Sequence, residues 1–108
     1  MMRLAVALAA MAIAAGAQAG DAARGKQKAE QVCAACHGAD GNKPSAPDQP
    51  VLAGQYEDYL VRALSDYKNG RRNNAIMKGF AGQLSKQDIE DLAAWFSSQP
   101  KTALHDQR

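Results

Sequence analysis

Two cysteines are all that this chain of 108 residues contains. Without a third or fourth thiol, a closed site of four cysteines around zinc is excluded. A mixed zinc site would have to draw on His37, His105 and carboxylates, and His37 directly follows Cys36, the wrong spacing for a closed structural site. The residues around the cysteines also lack the alternation of strand and helix on which a thiol–disulfide exchange pair usually sits. A disulfide across the pair would close too small a loop to stabilise much through chain entropy. An excess of charge of one sign is missing too. Thirteen basic residues stand against eleven acidic ones, for a formal charge of +2, which gives no electrostatic argument for nucleic acid. There is no internal repeat. The longest apolar run, residues 4–15, is shorter than the roughly 20 residues of a membrane-spanning helix.

That run has another use. Met1-Met2-Arg3 gives a weakly basic start, the apolar stretch follows, and Ala17-Gln18-Ala19 supplies small residues in the A-x-A arrangement. Together they read as a secretory signal peptide over residues 1–19, cleaved before Gly20. The expectation is export to the periplasm, with no stable membrane insertion after cleavage. Residues 20–100 then make one small domain, and residues 101–108 a polar tail. So short a chain buries a modest fraction of its surface, and a bound apolar group would help to complete its core.

The group is suggested by Cys33-Ala34-Ala35-Cys36-His37. C-x-x-C-H is the covalent attachment pattern of a c-type haem. Two intervening residues let both sulfurs face one side of a tight turn, where they can add to the two vinyl groups on one porphyrin edge. His37 is then held beside the ring with a nitrogen available to iron. Export fits, because this attachment takes place outside the bacterial cytoplasm.

The remainder reads as all-α. Residues 21–32 form a first helix with Asp21 at its start and Ala22, Gly25, Ala29 and Val32 on a thin face of small residues. Gly25 costs about 1 kcal/mol relative to alanine in a helix interior, which close approach of another helix would explain. Residues 38–51 are loop, punctuated by Gly38, Gly41, Pro44, Pro47 and Pro50. Residues 55–69 form a helix with Tyr56, Tyr59, Leu60, Ala63, Leu64 and Tyr67 at helical spacing, stopped by Asn69-Gly70. Residues 71–84 read as loop. Ser85 and Asp88 form a capping box for the last helix, with Leu84 and Ile89 at the staple positions. Ile89, Leu92, Ala93 and Phe96 supply its buried stripe, Trp95 flanks it, and Pro100 ends it.

With His37 as one axial ligand, the second must come from downstream. Met77 is the sole methionine after the leader, and it lies among Arg71, Asn73, Asn74, Lys78 and Gly79. A thioether in such polar company suits an iron ligand, although methionine also serves as an adaptable core residue. His105 competes from the tail, where bis-histidine ligation would lower the potential. An open sixth position is the third possibility, and it would make a ligand-binding haem. Arg71, Arg72 and Lys78 read either as propionate partners or a docking patch, or as an ordinary solvated loop.

Several further segments, in order, resemble class I cytochromes c, and within them the bacterial cytochrome c4/c553-like domain. Pro50-Val51-Leu52-Ala53-Gly54-Gln55 is similar to the family's P-x-L-A-G-Q segment, and Met77 precedes Leu84-Ser85 as in its methionine loop. Asp91-Leu92-Ala93-Ala94-Trp95-Phe96 resembles its C-terminal helix. The resemblance implies the cytochrome c fold, three to four helices with long loops wrapped around one covalent haem, the terminal helices crossing near Gly25 and Trp95. It implies haem-binding roles for Cys33, Cys36, His37, Met77, Pro50 and Leu52, with His37 and Met77 on the metal. The Pro50 carbonyl would accept from the far nitrogen of His37, and Leu52 would pack on the haem face. Ala29 and Gln31 stand where relatives commonly have an aromatic residue. The implied function is one-electron transfer, not enzymatic catalysis. Partners would be an oxidase, a cytochrome bc1-type complex or a dehydrogenase, met by transient docking, with a place as a small subunit of a larger oxidoreductase as the alternative.

Overall fold

The computed structural model describes residues 20–45 and 49–101. The expected signal peptide and His105 lie outside the described residues. The chain forms α1 (Ala22–Val32), α2 (Ala34–His37), α3 (Glu57–Asn69), α4 (Ala75–Ala81) and α5 (Lys86–Ser97), and no strand occurs among the described residues.

Asp21 starts α1 by accepting the backbone N–H of Arg24 at 2.9 Å, satisfying one of the donors that a helix start leaves unpaired. The thin face of α1 lies on α5. A Cβ at Gly25 would run into the Asp91 carbonyl oxygen and stand 2.9 Å from the Trp95 Cβ. The glycine is therefore the condition of the crossing, as expected. Ala29 is completely buried there, so the missing aromatic does not leave the helices apart.

A polar cluster ties the same two helices together. The buried Asp91 carboxylate accepts from the backbone N–H of Asp21 at 2.7 Å, from Arg24 Nε at 2.9 Å and from Gln87 Nε2 at 2.9 Å. A buried carboxylate is costly unless its lone pairs are met in this way.

The α5 capping box forms as read from sequence. Ser85 Oγ accepts from the Asp88 N–H and Asp88 Oδ2 from the Ser85 N–H, each at 2.9 Å. Leu84 and Ile89 are both buried beside it. The core gathers Ala29, Leu60, Ala81, Leu84, Ile89, Leu92, Ala93 and Phe96, with Val32, Leu52, Leu64, Tyr67 and Trp95 packed around them.

Two segments differ from expectation. Helix α3 begins at Glu57, because Tyr56 is extended (φ −65°, ψ 137°) and 77% exposed, outside the buried stripe. The end of α3 is as expected, at a left-handed Gly70 with φ 84°. The stretch expected as loop over residues 71–84 contains α4, seven residues started by Asn74, whose side chain accepts from the Met77 N–H. A helix so short gives too few turns for apolar periodicity to show, and Gly79 within it and Gly82 at its end argue locally for loop. The far end of α4 is fastened by Lys68, whose Nζ donates to the Leu84 carbonyl at 2.7 Å and the Gly82 carbonyl at 3.3 Å.

Candidate haem site

Cys33 closes α1 and opens α2, and α2 is a single turn that carries Cys36 and His37. The N–H groups of Cys36 and His37 donate to the Cys33 carbonyl at 3.2 and 3.0 Å. Residues three apart on such a turn share a face, so the two half-buried thiols lie on one side with His37 following them. Burial, with the neighbouring Cys36 adding to it, pushes the Cys33 thiol up to about 11. A thiol held protonated at neutral pH is a poor attacking group in disulfide exchange. No group of three His, Cys, Asp or Glu side chains among the described residues is placed to hold a metal ion.

His37 is 6% exposed, and its Nδ1 lies 3.0 Å from the Pro50 carbonyl oxygen. A carbonyl only accepts, so Nδ1 carries the proton and Nε2 keeps its lone pair for a metal. Burial holds the imidazole below its ordinary pKa, against the opposing pull of the Pro50 hydrogen bond. It is therefore neutral at neutral pH, the form a metal needs.

Pro50 is set by the folding of the loop before it. Gly38 turns the chain out of α2 at φ 84°, and Lys43 N–H returns to the His37 carbonyl at 3.0 Å. Gly41, at φ 83°, accepts from the Leu52 N–H at 2.9 Å, and a Cβ there would strike Phe96. The Trp95 indole donates to the Ala39 carbonyl at 2.8 Å and Asn42 Nδ2 to the Pro100 carbonyl at 3.0 Å. The loop is thus tied at Ala39 to α5 and at Asn42 to the segment that follows it. Leu52 is half-buried and packs on the core.

Met77 is half-buried in the first turn of α4, its backbone fixed by Asn74. That cap is the feature the sequence reading missed, although Asn followed by Ala-Ile-Met is an available helix-start signal. The two arginines nearby are engaged. Arg71 pairs with Asp66 at 3.4 Å, and Arg72 lies over the Tyr67 ring with Nη1 donating to the Tyr59 hydroxyl at 3.3 Å.

The donor set fits a c-type haem: two thiols on one face of a turn, a neutral imidazole with one nitrogen committed, and an apolar surround. Comparison with known proteins agrees. The cytochrome c family model matches residues 22–100. The chain is 56% identical over 81 residues to cytochrome c4 of Pseudomonas aeruginosa, covering 75% of this chain and 39% of that protein. It is 46% identical over 84 residues to cytochrome c-554(548) of Halomonas halodenitrificans, covering 75% of this chain and 99% of that one. The crystal structure of reduced recombinant cytochrome c4 from Pseudomonas stutzeri superposes with a TM-score of 0.71 at 47% identity, over 78% of this chain and 48% of the other. The chain thus spans about half or less of the length of the cytochromes c4 that it matches. Over residues 22–100 this chain belongs to the cytochrome c family, with haem c attached covalently through Cys33 and Cys36.

Proposed function

We propose that this protein is a periplasmic one-electron carrier in which His37 and Met77 are the two axial ligands of the haem iron. The observation that carries the reading is the His37–Pro50 hydrogen bond at 3.0 Å, which commits one ring nitrogen and leaves the other aimed for metal. Bound at the two cysteines, haem c supplies an iron that gains and loses a single electron. The chain's own residues tune that property. Pro50 fixes the orientation and tautomer of His37 and raises its basicity as a ligand. The neutral Met77 thioether favours the reduced iron and so raises the potential. Leu52 offers an apolar side chain to the ring face, and burial of the site disfavours the extra positive charge of the oxidised state. On this reading the protein is a carrier and not an enzyme.

Periplasmic location rests on the leader and its A-x-A sequence at residues 17–19, and no described helix is long and apolar enough to cross a membrane. Partners are redox proteins, an oxidase, a cytochrome bc1-type complex or a dehydrogenase, met in brief, salt-sensitive encounters. A potentiometric titration of the haem-loaded protein tests the carrier role. It should follow a one-electron Nernst curve, and the reduced protein should keep its spectrum when carbon monoxide is added. A prompt spectral change with carbon monoxide would mean an open iron and a ligand-binding function.

A further inference from the structure

Arg71-Arg72-Asn73-Asn74 joins α3 to α4, and by composition it is a solvated basic loop. The geometry points to another role: Arg72 and Asn74 are positioning residues that hold Met77 over the haem, an inference that rests on Met77 being the iron ligand. Asn74 Oδ1 accepts the N–H of Met77 itself at 3.0 Å. This bond fixes the backbone of the residue whose side chain must reach the metal.

Arg72 secures the chain two residues earlier. Its guanidinium carbon stands 4.7 Å from the centroid of the Tyr67 ring, within the range of a cation–π attraction. Its Nη1 donates to the Tyr59 hydroxyl at 3.3 Å. Tyr67 packs against the core, so the platform under the guanidinium is fixed. The backbone N–H groups of Arg71 and Arg72 both donate to the Asp66 carbonyl, at 2.8 and 3.1 Å. The line of ties runs from the core through Tyr67 to Arg72, then through Asn74 to Met77. A ligand side chain must be held by a supporting shell within a fraction of an ångström, and Arg72 and Asn74 supply ties of that kind to the chain that carries Met77. Arg72 is accordingly a poor candidate for a freely available docking cation.

Cyanide binding to the ferric, haem-loaded protein tests this, because cyanide must wait for Met77 to leave. Asn74→Ala should bind roughly fivefold faster than wild type, the effect of losing an average N-cap. Arg72→Gln should bind about two- to fivefold faster. Asn74→Ser, which keeps a capping oxygen, should return the rate to that of wild type. Gln87→Ala, which loosens the α1–α5 cluster, should leave the rate unchanged, since general destabilisation is not the cause. If Met77→Ala accelerates binding while Asn74→Ala and Arg72→Gln match wild type, the positioning role is overturned and Met77 ligation stands. If Met77→Ala also matches wild type, the ligation reading fails and this inference fails with it.

Discussion

Asp91 shows how one side chain decides both packing and pH response. Burial would raise its pKa, but the hydrogen bonds from Arg24, the Asp21 backbone and Gln87 outweigh that and hold the carboxyl below its usual value. A depressed folded-state pKa confers stability that is complete above the unfolded value of about 4 and is lost as pH falls through the folded value. Asp91→Asn should therefore lower the melting temperature at pH 7. The gap to wild type should narrow as pH falls below about 4, as followed by thermal melts across that range. An equal gap at both ends would mean that the charge on Asp91 is not what matters. His37 is governed by the same balance with the other outcome: burial exceeds the help of its partner, and the ring stays neutral. The sequence placed Asp91 in the last helix and His37 beside the cysteines but carried no sign that Asp91 is buried, because two of its three partners, Asp21 and Arg24, lie 70 and 67 residues away at the start of α1.

Among the elements, the α1–α5 crossing carries the most information. Gly25 has no room for a Cβ between the Asp91 carbonyl and Trp95. Gly25→Ala should destabilise the fold by about 1–3 kcal/mol, as overpacking does, despite the gain in helix propensity. Denaturant titration checks it; a neutral or stabilising effect would mean that the helices are not in close contact there. The long helices were legible because each has a cap and several turns of periodic apolar residues. Helix α4 was not, because seven residues with an internal glycine fall below what periodicity can resolve. What forms it is tertiary: Asn74 at one end, Lys68 reaching the carbonyls beyond the other, and Ala81 completely buried between them.

At the scale of the whole molecule, the proposed haem site draws its two ends, His37 and Met77, from distant parts of the sequence. The attachment end was plain from five consecutive residues, because the chemistry requires them to be neighbours. The Pro50 contact followed from resemblance, and the structure contains it at 3.0 Å. The Met77 end was legible only as a methionine in polar company. The ties that hold it, Arg72 on Tyr67 and Asn74 on the Met77 backbone, depend on how α3 meets α4. The central claim is that these two ends close on one iron as His37 and Met77. It is tested most directly by the absorption spectrum of the ferric, haem-loaded protein beside that of Met77→Ala. The wild type should show the weak far-red band of a sulfur–iron bond, and the variant should lose it. A wild type without that band, or a variant that keeps it, would mean that Met77 is not the iron ligand.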